Sequence, residues 1–168
     1  MIEITQTHFI PKGDCYAACI ASIFELELDR LPHVPEDDAI ILAKFPIKNP
    51  EYFGLKDSQN SWWHDMWSEW FRDNNLMKVT LRCGKLDEWD RRVLDTWHII
   101  NGPSPRDPEQ TGGSDGHKHS VVGRKGLIRF DPHPSRAGLM ALDAYELIIP
   151  ADPTKPILEG YRAGRGRR

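Results

Sequence analysis

Cys15, His119 and Asp131 occur in an order that suits thiol chemistry. Cys15 stands in Gly13-Asp14-Cys15-Tyr16-Ala17-Ala18-Cys19, where a polar loop passes into an apolar run. His119 opens the strand-like run His119-Ser120-Val121-Val122-Gly123, and Asp131 follows in Phe130-Asp131-Pro132-His133-Pro134. A thiol is a good nucleophile only as thiolate, and both a helix N-terminus and a nearby imidazolium favour that form. The imidazole would take the thiol proton and later return one to the leaving group. A carboxylate on the other ring nitrogen would fix the tautomer. The tetrahedral oxyanion needs donors, of which the backbone N–H of Cys15 is one candidate.

Each of these residues has a plainer role to compete with. A lone cysteine is usually a small buried hydrophobe. Cys19, one helical turn further on, reads as core and as the reserve nucleophile, and Cys83 as the structural end of a strand. Asp131 has a rival role as a strand-end turn residue. His117 defaults to a solvent-exposed position, and His133 to shaping the turn between the rigid Pro132 and Pro134. His117, His119, His133 and Cys15 could alternatively hold zinc. Neither a C-x-x-C pair nor an H-E-x-x-H helix is present, so zinc is the minority reading, and thiol chemistry itself needs no metal or organic cofactor.

The elements that must position these residues follow from periodicity. Cys15 to about Leu26 is apolar nearly all round, which describes a buried central helix, with Asp14 as its expected N-cap. Leu28-Asp29-Arg30-Leu31-Pro32 ends it. Trp63, Met66, Trp67, Trp70 and Phe71 recur at helical spacing, predicting a helix from Ser61 to about Asn75. Trp62, Trp63, Trp67 and Trp70 are read as core in preference to a substrate cleft. Met77–Cys83 and Trp97–Asn101 read as strands, Asp87–Leu94 as a short helix, and Gly102–Gly116 as a loop. Its glycine-rich end, Gly112–Gly116, reads as a flexible linker, with gating of a site at His119 as the alternative. His119–Gly123 and Gly126–Asp131 form an expected hairpin around Arg124-Lys125, and Tyr145–Ile149 a last strand. Helices first and strands later predict an α+β fold.

Composition limits the function classes. The chain has 168 residues, 39% hydrophobic and 28% charged, with a net charge of −3. That fits one soluble domain over residues 1–160, followed by a basic, solvated tail at 161–168. No global positive field selects nucleic acid, and the tail's arginines lack interleaved aromatics. No apolar stretch approaches a membrane span, and no basic-then-apolar leader opens the sequence. Three cysteines without a disulfide pattern fit a reducing cytoplasm.

The helix entry, with Ala18-Cys19-Ile20-Ala21-Ser22-Ile23 after Gly13-Asp14-Cys15, resembles that of papain-like cysteine peptidases, especially the C39-like group. His119-Ser120-Val121-Val122-Gly123 and Phe130-Asp131-Pro132 resemble the His and Asp-Pro hairpin of the same group. The whole is similar to a set of small bacteriophage proteins. These also carry segments like Leu28–Val34, Gly102-Pro103-Ser104-Pro105-Arg106 and Asp131–Ser135. The resemblance covers roughly residues 5–150. It implies a papain-like fold in which a buried N-terminal helix packs on an antiparallel sheet. It also implies a hydrolase of amide, peptide or isopeptide bonds working through a thioester, with Cys15, His119, Asp131 and Gln6 as its residues. The acyl-enzyme could also be passed to an amine. Alternatives are an inactive relative that binds a peptide or host protein, and a zinc or nucleic-acid module. The implied substrate is a peptide, a protein or a small amide, with a host protein among the candidates and the host cytoplasm as the workplace.

Overall fold

The computed structural model describes residues 1–7, 14–32, 55–82, 94–106 and 118–159, with side chains in the second helix from residue 63 onward. Among these it contains two α-helices and a five-stranded sheet whose assigned pairings are antiparallel, an α+β fold. The residues described within Met1–Leu31 and Lys78–Ile149 form one compact unit. Those within Pro32–Met77 and Pro150–Arg168 form a second.

Helix α1 (Cys15–Phe24) is buried continuously from Tyr16 to Ser22. Ala17, Ala18 and Ala21 favour the helix intrinsically, and Ile20 is fully buried, worth about 1.5–3 kcal/mol. The helix stops earlier than its apolar run because Glu25 adopts the left-handed conformation (φ 58°) and the Leu26 N–H turns back to the Ala21 carbonyl. A 3-10 turn, Leu28–Arg30, follows. Asp14 occupies the N-cap position, and its carbonyl accepts the Ala18 N–H at 2.9 Å. Its carboxylate, however, does not cap the helix. Both oxygens accept the Thr7 N–H at 3.1 Å, and Oδ2 also accepts the Thr7 hydroxyl. The expected capping role is corrected: the carboxylate ties the first segment of the chain to the start of α1.

The strands are β1 (Leu76–Arg82), β2 (Trp97–Pro103), β3 (Lys118–Arg124), β4 (Leu127–Phe130) and β5 (Ala144–Pro150), in spatial order β1-β5-β2-β3-β4. Strand β2 runs antiparallel to β5 and β3, and β3 antiparallel to β4. The hairpin turn lies at Lys125-Gly126, one residue later than the sequence suggested. Both residues have positive φ (57° and 71°), which a tight two-residue hairpin requires.

Strand β3 is buried from His119 to Gly123 because both sheet faces are covered. Tyr145 and Glu146 are consecutive in β5 and so point to opposite faces. Tyr145 joins Leu94, Ile100, Val121 and Leu147 in the core of one face, whereas Glu146 accepts the Tyr16 hydroxyl of α1 at 2.8 Å on the other. Lys78 lies 3.4 Å from the same carboxylate.

Gly102 and Pro103, expected in a loop, extend β2 and pair with His119 and Lys118. A following segment runs against them, with the Met140 N–H on the Pro103 carbonyl and the Asp143 N–H on the Asn101 carbonyl. Between these two bonds the Ala141 carbonyl oxygen lies 2.0 Å from where a Gly102 side chain would begin. Backbone cannot swing aside as a side-chain tip can. Gly102→Ala should therefore destabilise the protein by about 1–3 kcal/mol, read as a lowered urea midpoint with an unchanged slope.

In the second unit, α2 (Leu55–Asp73) starts earlier than the expected Ser61. Trp67, Trp70 and Phe71 are buried in edge-on and tilted contacts, as core packing predicts, and Trp63 is half-buried. Asn74 and Asn75 end the helix as expected. The Asn74 amide donates to the Trp70 carbonyl, and Asn75 takes positive φ (54°). Asn75 also exchanges hydrogen bonds with Asp152 through both ends of its amide.

Apart from Leu94, the helix expected over Asp87–Leu94 lies outside the described residues. So do Cys83, His117, Gly112–Gly116, the Trp62 side chain and the arginine tail.

Candidate active site

The antiparallel β3–β4 pairing brings the start of β3 and the end of β4 to one end of the sheet. His119 is the second residue of β3, and Asp131 is the first after β4. Their side chains meet with His119 Nε2 2.7 Å from Asp131 Oδ1. Both are buried, at 3% and 5% exposure. The other imidazole nitrogen is Nδ1, and the Cys15 side chain is close enough to the ring to interact with it. Cys15 is the first residue of α1 and is half-buried, and neither it nor the fully buried Cys19 is in a disulfide.

The electrostatics favour a charged pair. Burial alone would push the His119 imidazole towards neutrality, but the hydrogen bond to Asp131 and the interaction with Cys15 outweigh it and raise its pKa above the ordinary histidine value. Burial likewise opposes the Asp131 carboxylate. The bonds from His119 and from the backbone N–H groups of His133 and Gly138 outweigh it and hold the carboxyl below the ordinary range. Those N–H groups lie 2.9 Å from Oδ1 and 2.8 Å from Oδ2. Cys19 is different: burial first, and Coulombic interaction with Cys15 second, push its thiol well up. That environment suits a core residue and not a nucleophile.

Gln6 is buried, and its backbone N–H donates to the Pro132 carbonyl at 3.0 Å. Together with the Thr7–Asp14 contacts, this strings residues 6 and 7 between the residue after Asp131 and the residue before Cys15. The structure therefore brings Gln6, Cys15, His119 and Asp131 to one region. His133 packs edge-on against His119 with centroids 6.3 Å apart, and it shapes the turn through its bond to Asp131 and a contact with Ser135. Among the described residues no group of three His, Cys, Asp or Glu side chains could hold a metal ion.

Arg106 is a residue of this site whose role the sequence did not disclose. Its Nη2 lies 3.8 Å from Asp131 Oδ2, and its Nη1 donates to the Ser104 hydroxyl at 3.0 Å. The available signal was topological. The antiparallel partner of Pro103 is Lys118, so the segment leaving β2 emerges beside the strand end that carries His119.

No family model, curated protein or solved structure matches this chain. Among the described residues no helix is long and apolar enough to cross a membrane.

Proposed function

We propose that this protein is a papain-like thiol hydrolase that cleaves an amide, peptide or isopeptide bond. The observation that carries this reading is His119, bonded to Asp131 through Nε2 and close enough to interact with Cys15, which starts a buried helix. The buried N-terminal helix on an antiparallel sheet supports a papain-like arrangement, and the order of the three residues along the chain is the one that arrangement uses.

In the proposed reaction His119 accepts the Cys15 proton, and the sulfur attacks the substrate carbonyl. The oxyanion is met by the Cys15 backbone N–H, which has no intrahelical partner in the first turn, and by the Gln6 side-chain amide. The C–N bond breaks as His119 protonates the departing amine. Water, activated by the same imidazole, then hydrolyses the thioester. Asp131 keeps the ring oriented and stabilises its charge. A peptide, a protein of a bacteriophage host or a small amide would be the acyl donor.

Thiol labelling tests this without a known substrate. Neutral iodoacetamide at neutral pH should alkylate Cys15 at least about tenfold faster than Cys19 or Cys83, read by peptide mass mapping against time. Equally slow labelling at all three would reject an activated thiol and favour a protein-binding module.

A further inference from the structure

Arg106 is poorly matched to its surroundings. Its side chain is only 10% exposed, yet Nε and Nη2 are buried without a hydrogen-bond partner among the described residues. These two nitrogens form one edge of the guanidinium. Their N–H bonds point the same way and are spaced to match the two oxygens of a carboxylate. The opposite side of the group is held by Ser104 through Nη1. Asp131 does not fill the fork: at 3.8 Å it is beyond hydrogen-bond reach, and its oxygens already serve His119, His133 and Gly138.

Coulombic interaction couples the guanidinium to Asp131, Cys15 and His133. Burial pulls its pKa below the ordinary arginine value against the attraction of Asp131 and Cys15. A cation desolvated beyond what its neighbours offset is stabilised by an added anion.

We propose that Arg106 is a substrate-binding residue, its Nε–Nη2 edge taking a carboxylate of the acyl substrate in a bidentate pair beside Cys15. The inference rests on the thiol-hydrolase reading and narrows its substrates to amides that carry a carboxylate near the scissile bond. Both nitrogens are sealed from bulk water, so neighbouring groups part to admit the acid. The acid then exchanges hydration for two charge-assisted bonds.

The test uses iodoacetate and iodoacetamide, which differ by a carboxylate against an amide. In both, the Cys15 sulfur displaces iodide and a thioether forms. The ratio of acid to amide rates at Cys15, normalised to free glutathione in the same buffer, should be well above one. It should fall by about tenfold or more in Arg106→Gln, the size expected for losing charge-assisted hydrogen bonds. Arg106→Lys keeps the charge without the fork, and its ratio should also fall several-fold; it serves if the glutamine variant does not fold. A wild-type ratio near that of glutathione overturns the proposal. So does an acid preference that survives in either variant, because the imidazolium of His119 would then be its source. Slow reaction with both reagents is a different failure: it removes the activated thiol, and the hydrolase reading with it.

Two acids identify the source of the carboxylate by protecting Cys15 from iodoacetamide. Protection by N-acetylglycine, and not by its amide, assigns the fork to a C-terminal carboxylate. Protection by the α-amide of N-acetylaspartate assigns it to an acidic side chain. Protection by neither overturns the assignment to a substrate.

Discussion

Cys15→Ala should abolish acyl transfer, and His119→Ala should lower it by about 10²–10⁴-fold, while both proteins remain folded. An activated ester such as p-nitrophenyl acetate provides the measurement: a stoichiometric burst of nitrophenolate in the wild type, none in Cys15→Ala. Cys19 is not a ready substitute, because it is fully buried and its thiol is pushed well up. Alanine is a good helix former at the half-buried first position of α1, so the cysteine change should leave the urea midpoint nearly unmoved. In His119→Ala the Asp131 carboxylate keeps the His133 and Gly138 N–H groups, which limits the structural damage. A wild-type burst retained by either variant would reject the triad.

Asp131→Ala should destabilise the protein by about 3–5 kcal/mol near pH 6, the range for removing one partner of a buried ion pair. Four groups converge on this residue. His119 and the two backbone N–H groups bond its carboxylate, and Arg136 donates to its carbonyl while stacking 4.2 Å over the Phe130 ring. Removing the carboxylate strands two part-buried donors and a buried imidazolium. Asp131→Asn is milder but not neutral: one amide oxygen can serve His119 and His133, while the amide nitrogen then faces the Gly138 N–H, donor against donor.

The pH dependence follows from the two shifts. Asp131 titrates below its ordinary value, so its contribution is complete above about pH 4 and is lost as pH falls through the lower folded value. His119 titrates above its ordinary value, so its contribution is complete below about pH 6.5 and is lost as pH rises through the higher folded value. The two shifts describe one pair and are not additive. Urea midpoints of wild type and Asp131→Ala should therefore differ most between those limits and converge towards both ends. A gap independent of pH would mean that Asp131 acts by packing and not by charge.

The local sequence was enough to locate α1, the five strands among the described residues and the end of α2. Apolar runs and period-two alternation are short-range signals that tertiary packing did not override here. It was also enough to nominate Cys15, His119 and Asp131, because a thiol at a helix entry and two polar residues at strand ends are visible as breaks in those patterns. It misplaced the hairpin turn by one residue. Nothing in Arg124-Lys125-Gly126 shows which pair must take positive φ until the pairing of Arg124 with Leu127 is known.

It also gave Asp14 the wrong partner. An aspartate before a helix is a cap by propensity, but Thr7 offers both an N–H and a hydroxyl, and that choice depends on where the preceding segment runs. The long-range relations were decided only by the tertiary structure. The antiparallel register of β2, β3 and β4 sets His119 against Asp131, turns Gly102 into a contact that admits no side chain, and buries Arg106 beside them. A residue's type and its neighbours in sequence show which chemistry it can perform. Whether a guanidinium ends in solvent or in a dry site next to a thiol depends on strand pairing between segments far apart in the chain, and local pattern does not encode that distance.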